Sequence, residues 1–203
     1  MRRRTRWVGT AALVVLACLT TGCSTKPANP AEPATPRGLT AAVLHHLDPA
    51  QAFHIGGWRQ AGNVWTFIEL DDEANTNLFV SVQPPRDDPA PGATCRGDSG
   101  FTVVTCDRSH DELLEIARGP KKSAKGNLAL LVGRLVRADG SSTRIEIRAQ
   151  GAVEFPSELA EQILRDPAVG WMTTAGVNDE GERLSDFHDS PFFDTLTGNL
   201  PTA

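Results

Sequence analysis

The sequence lacks a long apolar run, an internal repeat and an excess of positive charge. Its most apolar stretch, residues 7–19, is about thirteen residues long, which is shorter than the roughly 20 residues of a membrane-spanning helix. Acidic side chains outnumber basic ones, with 25 Asp and Glu against 20 Lys and Arg. A general attraction to nucleic acid requires a positive surface, so the composition predicts no nucleic-acid partner.

The first residues are typical of a secretory signal peptide, because arginines occupy positions 2, 3, 4 and 6 and a short apolar stretch follows them. Residues 19–24, Leu-Thr-Thr-Gly-Cys-Ser, resemble a bacterial lipobox. This resemblance implies cleavage after residue 22 and a diacylglyceryl group on the Cys23 thiol, while a weaker competing box ends at Cys18. We therefore expect residues 1–22 to be removed and the mature chain to be anchored by lipid on the outer face of the cell membrane.

A linker is expected over residues 23–37, which begin with the lipidated Cys23 and are rich in Pro and Ala. This segment has no large apolar residue, so it cannot bury enough surface to offset its ordering entropy. Removal of residues 1–22 takes away four arginines and leaves 16 Lys and Arg against 25 Asp and Glu, a formal charge of −9. The expected membrane partner is therefore contacted through acyl chains and not through charge.

Residues 38–175 are long enough for one domain with its own core. Apolar periodicity predicts helices over residues 38–47 and from Pro156 to the Asp-Pro step at 166–167. Alternating segments predict strands over residues 53–60, 63–70, 76–83, 101–106, 127–137 and 143–150, with a weaker one over 113–118. We expect an α+β fold, an antiparallel sheet of about five to seven strands packed against an N-terminal and a C-terminal helix. Residues 176–203 are expected to form an acidic, partly disordered tail.

Two cysteines remain in the expected domain, Cys95 and Cys106. In an oxidising compartment such a pair is expected to form a disulfide. A tight turn over residues 97–100 would place Cys95 opposite Thr102, which leaves Cys106 roughly 13 Å from that position. A disulfide needs Cα atoms closer than about 7 Å. We therefore predict the disulfide, with residues 96–105 in a wider loop or a different register.

The strongest catalytic resemblance is Gly-Asp-Ser-Gly at residues 97–100, which resembles the nucleophile segment of trypsin-like serine proteases. His54 and Asp71 even precede Ser99 in the order that this family uses. The residues that follow depart from the family's pattern, and the 45 residues between His54 and Ser99 are too few for its two barrels. We interpret the segment as turn chemistry and assign no catalytic residue.

The histidines predict no metal centre. His45 and His46 are neighbours on the first predicted helix, so their side chains diverge by about 100° and cannot share an ion as an i, i+4 pair would. Acidic residues of the tail lack the ligand spacing of any cation-binding motif. We therefore expect neither a metal nor a cofactor.

Trp58, Trp65 and Phe67 are the best candidates for ligand contact, because they lie on or near one face of the first hairpin. Exposed aromatic side chains mark binding surfaces. The alternative interpretation, which the sequence favours, is that these rings form core beneath a helix.

The overall organisation resembles that of uncharacterised small secreted lipoproteins of high-GC Gram-positive bacteria. The features shared are the Arg-rich start, the Gly-Cys-Ser site, the Pro/Ala linker, two later cysteines and a late helix followed by Asp-Pro and Trp171. The resemblance implies a location outside the cell membrane and implies no activity. We expect a membrane-anchored, extracytoplasmic, non-catalytic binding or accessory module of unknown ligand, the alternative being an extracytoplasmic hydrolase with unidentified catalytic residues.

The anchoring hypothesis predicts that Cys23→Ala abolishes acylation and releases the protein into the medium. Metabolic labelling with a fatty-acid analogue and fractionation of cells and medium measure both effects. Cys18→Ala is the matched control and should leave the protein labelled and membrane-bound. Release by Cys18→Ala with retention of the Cys23 variant would show that the lipidated cysteine has been misassigned.

Overall fold

The computed structural model describes residues 30–72, 74–86, 95, 100–109, 111–123, 126–150 and 155–189. The predicted signal peptide, Cys23 and Ser99 lie outside these residues. The described elements, in chain order, are β1 (Ala31–Pro33), α1 (Pro36–Leu44), a 3-10 turn (Pro49–Gln51), β2 (Ala52–Gln60), β3 (Asn63–Leu70), β4 (Asn77–Gln83), β5 (Thr102–Ser109), β6 (Glu112–Ser123), β7 (Gly126–Val136), β8 (Ser142–Gln150), α2 (Ser157–Arg165), β9 (Met172–Thr174), α3 (Ala175–Gly181) and β10 (Phe187–His188).

Eight of the strands form one sheet in the order β10-β2-β3-β4-β8-β7-β6-β5. All neighbouring pairs are antiparallel except β10 and β2, which run parallel. The α+β class and the antiparallel sheet with helices packed on it are confirmed. The expectation of five to seven strands is wrong, because β10 extends the sheet to eight. Three α-helices are described where two were expected.

The hydrophobic core lies between one face of this sheet and the helices α1 and α2. Strand side chains that alternate onto this face meet Leu39 and Val43 of α1 and Ile163 and Leu164 of α2, all of which are buried. Gly133 of β7 permits the close approach of α2, because a Cβ at this position would lie 2.7 Å from the Leu164 Cδ1 atom. The helices therefore cover one face of the sheet.

The first helix begins and ends earlier than predicted, spanning Pro36–Leu44 and not residues 38–47. The Thr35 hydroxyl accepts a hydrogen bond from the Gly38 amide at 2.9 Å, and Pro36 occupies the first turn, where its missing N–H costs nothing. In the second helix Pro156 is the N-cap, so the helix proper begins at Ser157. These caps explain the boundaries better than the apolar stripe alone.

The folded part starts inside the expected linker. Ala31–Pro33 pair antiparallel with Met172–Thr174, and the Ala34 amide donates to the Trp171 carbonyl at 2.9 Å. Proline-rich composition predicted an extended, solvated chain up to residue 37. The difference arises because β9, about 140 residues away in the chain, provides hydrogen-bond partners that local composition does not reveal.

Asn178 of α3 fastens this N-terminal segment. Its Oδ1 atom accepts from the Thr35 amide at 3.0 Å and from the Thr35 hydroxyl at 3.2 Å. Its Nδ2 atom donates to Glu32 Oε1 at 2.6 Å and to the Pro33 carbonyl at 3.2 Å. The side chain is buried, and a Cβ at Gly38 would lie 2.1 Å from its Oδ1 atom. We call the contacts of Asn178 with residues 32–35, together with the β1–β9 pair, the terminal clasp.

The acidic, partly disordered tail expected over residues 176–203 contains most of α3 and all of β10 in its described part, residues 176–189. The guanidinium of Arg37 lies 4.5 Å from the centre of the Phe187 ring and donates to Asp189 at 3.2 Å. These contacts bring this part of the tail back to the start of α1. Residues 190–203 lie outside the described residues.

Arg137, in the turn between β7 and β8, connects this hairpin to the end of α2. Its guanidinium donates to the carbonyls of Leu164 and Val169 at 3.2 and 3.1 Å and to the Thr143 hydroxyl at 2.7 Å. Burial lowers the pKa of the Arg137 guanidinium from its ordinary value, while nearby carboxylates oppose that shift. The contact with Leu164 gives a partner to a carbonyl of the last helical turn, which would otherwise lack one.

The terminal clasp predicts a large effect for Asn178→Ala. This substitution removes four hydrogen bonds of a buried side chain and leaves partly buried partners unsatisfied, so we expect the free energy of unfolding to fall by about 2–3 kcal/mol. Urea denaturation of the purified protein measures the change. The neighbouring exposed residue serves as control, and Asp179→Ala should leave the urea midpoint nearly unchanged. Equal midpoints for both variants would contradict the role of Asn178.

Candidate binding face opposite the helices

The sheet face directed away from α1 and α2 is the candidate functional site, and we call it the opposite face. Cross-strand register arranges its side chains in transverse rows, with neighbours about 4.8 Å apart between strands. One row crosses seven strands and contains Cys106, Glu115, Arg134, Arg144, Ser81, Trp65 and Trp58. None of the three described helices packs on this face.

Four aromatic side chains form a second, smaller cluster on the opposite face, which we call the aromatic cluster: Trp58, Trp65, Phe67 and Phe79. The two indole rings are stacked, with centres 5.7 Å apart and planes 3° from parallel. The two phenyl rings are 5.1 Å apart and tilted by 42°. Trp58, Phe67 and Phe79 are buried, whereas Trp65 is only half-buried. Trp65 is therefore the member of the cluster most accessible to a ligand.

The Trp65 indole nitrogen has an unusual environment. The atom is buried and has no hydrogen-bond partner in the part of the chain that the structure describes. An indole N–H that is buried without an acceptor costs free energy, and buried tryptophans usually find a partner for it.

An ion pair borders the aromatic cluster on β8. Glu146 accepts from the Arg148 guanidinium at 2.6 Å, and both side chains are buried. The same guanidinium carbon lies 4.5 Å from the centre of the Phe79 ring, a cation–π geometry. The charged pair is thereby fixed against the aromatic cluster, in a position where it contributes to the shape of the face.

Two exposed arginines lie directly opposite each other in the middle of the face. Arg134 of β7 pairs in register with Arg144 of β8, and we call these two residues the arginine pair. Arg144 lies 3.6 Å from Glu146, which is already held by Arg148. Among the described residues, no carboxylate lies within ion-pair distance of Arg134, although Glu115 is its register partner on β6. This part of the face therefore carries an excess of positive charge.

The disulfide between Cys95 and Cys106 is confirmed, with Cα atoms 5.9 Å apart. Cys106 lies on β5 and is exposed on the opposite face, so the bond holds Cys95 on this side of the sheet. The intervening residues 96–99, which contain the Gly-Asp-Ser motif, lie outside the described residues. The bond marks the β5 end of the transverse row.

The predicted ligand contacts have features of both the ligand-contact and the core interpretation. Trp58 and Phe67 are buried, as a core role requires, but they pack on the face opposite the helices and not beneath one. Ligand contact by Trp58, Trp65 and Phe67 stays a prediction. The sequence analysis did not identify the arginine pair. The alternation of charged residues along β8 was a signal that could have pointed to Arg144.

The histidines contact carboxylates on different elements. His45 lies 2.8 Å from Glu180 of α3, and His46 lies 2.7 Å from Asp166 at the end of α2. His54 Nδ1 lies 3.1 Å from its cross-strand neighbour Glu69 at the β2 edge. In the described part of the chain, no three His, Cys, Asp or Glu side chains converge in a group that would hold a metal ion.

Comparisons with known proteins provide no family for this chain, since no protein-family model matches it and no curated sequence matches it significantly. Within the described ranges, no helix has both the length and the apolar character needed to cross a bilayer.

The disulfide predicts that the oxidised mature protein has no free thiol at Cys95 or Cys106. Titration with a thiol reagent in denaturant, before and after reduction, measures this directly. The double variant Cys95→Ser, Cys106→Ser should lose about 3 kcal/mol of stability, because a loop of this size is no longer closed in the unfolded chain. A double variant as stable as the parent would show that the bond does not constrain the fold.

Proposed function

We propose that this chain is a membrane-anchored extracytoplasmic lipoprotein whose domain is a non-catalytic binding module, with the opposite face of the sheet as its ligand surface. The observation that carries the proposal is the asymmetry of the sheet. Helices cover one face, while the other presents the aromatic cluster beside charged side chains. A rigid sheet with aromatic side chains and a few fixed polar groups is a common way of building a binding surface.

The ligand is expected to have an apolar or planar part. Trp65 is half-buried and lies against the ring of Trp58, so a ligand would contact one indole that its neighbour holds in place. This arrangement favours recognition by contact with an aromatic ring.

The proposed anchor rests on Cys23 and its lipobox, which would place the module at the outer face of the cell membrane. The first paired residue of the domain, Ala31, lies eight residues beyond Cys23. A domain attached in this way stays close to the membrane, where it would meet ligands of the cell envelope.

A hydrolase is the second candidate, and the contact between His54 and Glu69 is the observation that favours it. A histidine oriented by a carboxylate is one part of a general acid–base arrangement. Glu69 is 21% exposed and His54 is 38% exposed, so the pair is accessible at the β2 edge. Hydrolysis of a chromogenic ester that His54→Gln abolishes, without loss of the fold, would favour this candidate over the binding module.

Binding at the opposite face predicts that Trp65→Ala weakens the uptake of a neutral apolar probe. We expect the affinity for Nile red, followed by its fluorescence, to fall about tenfold, because one aromatic contact contributes on the order of 1–1.5 kcal/mol. The control is Phe53→Ala, which removes the large apolar side chain that is most exposed among the described residues, at 63% exposed, from a different part of the sheet.

The parent and the Phe53 variant should bind Nile red equally. Loss of binding in the Phe53 variant alone would assign the dye to the sheet edge and contradict the proposed surface. Thermal unfolding of each variant identifies any effect that arises from loss of the fold.

A further inference from the structure

We infer that the arginine pair, Arg134 and Arg144, binds an oxyanion group of the ligand, a phosphate or a carboxylate. This inference rests on the proposed function, because it assigns the chemistry of the ligand at the same face. Guanidinium groups present a planar fork of donors that matches the oxygens of phosphate and carboxylate. Two such groups in register form a clamp for one anion.

Charge on neighbouring strands supports this assignment. On the opposite face, the described residues of β6, β7 and β8 include three arginines, Arg134, Arg144 and Arg148, against two carboxylates, Glu115 and Glu146. Arg148 holds Glu146 at 2.6 Å, so the longer contact of 3.6 Å to Arg144 leaves that guanidinium only partly neutralised. The positive excess is local, since the whole chain carries a net charge of −5.

The arrangement of the pair is unfavourable for the protein alone. Like charges directly opposite each other on adjacent strands are destabilising. Both side chains are exposed, and the Arg144 side chain is 50% exposed, so neither is needed to fill the core. A like-charge pair that destabilises the sheet and fills no part of the core is expected at a binding site, where the ligand supplies the compensating negative charge.

The neighbours of the pair indicate an amphiphilic ligand. In the same transverse row, the small buried Ser81 separates Arg144 from Trp65, so the pair and the accessible indole are about 10 Å apart. An anion held by the pair would therefore have its apolar portion directed along the row toward the aromatic cluster. A phosphate-bearing amphiphile meets both requirements, and a free phosphate meets only one.

The experiment uses the full mature chain with Cys23→Ala, so that the protein's own lipid does not compete. Isothermal titration compares decyl phosphate, decanoate and decyl maltoside, each below its micelle concentration, with inorganic phosphate. We expect decyl phosphate to bind at least tenfold more tightly than decyl maltoside. Arg134→Gln and Arg144→Gln should each remove most of that preference and the double variant should abolish it, whereas Arg183→Gln, at an exposed position beyond α3, should remove none.

Stability provides a second readout. Each glutamine variant should unfold at the same or a higher urea concentration than the parent at low salt, because like-charge repulsion is relieved. Weaker anion binding together with unchanged or greater stability cannot be explained by damage to the fold.

The outcomes distinguish the oxyanion inference from the proposed aromatic binding surface. Equal binding of decyl phosphate and decyl maltoside, or a preference that survives in the double arginine variant, would overturn the oxyanion inference while leaving the aromatic surface intact. Equal affinity for inorganic phosphate and decyl phosphate, lost in the double variant, would support the oxyanion site and identify a soluble source. If neither amphiphile nor Nile red binds, the opposite face is not the ligand surface and both proposals fail.

Discussion

Side chains along a β-strand alternate between two faces, and in the large sheet this alternation stays in register from strand to strand. Because of this constraint, one face is almost entirely aliphatic where α1 and α2 pack on it, and the other collects rings and charges. The transverse row from Cys106 to Trp58 exists only because six strand pairings agree. A slip of one residue in any strand would exchange its two faces, so the core and the proposed site are fixed by the same pairing.

The sequence was most informative where a pattern is local. Alternation in residues 63–70 predicted β3 to the residue, and the compartment argument predicted the disulfide. The register between neighbouring strands was harder to predict. A loop over residues 138–142, as the sequence indicates, would place Arg134 opposite Glu146, an attractive pair. The observed pairing of Val136 with Ser142 instead places it opposite Arg144. One shift in loop position thus replaces an attractive ion pair with the arginine pair.

Features that depend on distant partners were not predictable from local composition. Ala31–Pro33 and residues 176–189 have the composition of a linker and a tail, yet they are ordered by contacts between segments more than 130 residues apart. Buried Asn178 is the clearest case, since nothing in its surroundings in the sequence distinguishes it from a surface residue of an acidic helix. Likewise, the aromatic residues were recognisable, but the face they occupy is decided by the strands beside them.

The terminal clasp also sets a length. If Cys23 carries the lipid, the chain between the anchor and the first clasped residue, Ala31, spans eight peptide steps and extends at most about 28 Å. The free linker expected from composition was nearly twice as long. With the proposed anchor, this shorter linker would confine the domain to a thin layer above the bilayer and raise its effective concentration toward ligands in that layer. Under that proposal the domain would sample the membrane surface far more often than the bulk, and it would not reach a partner on the far side of the envelope.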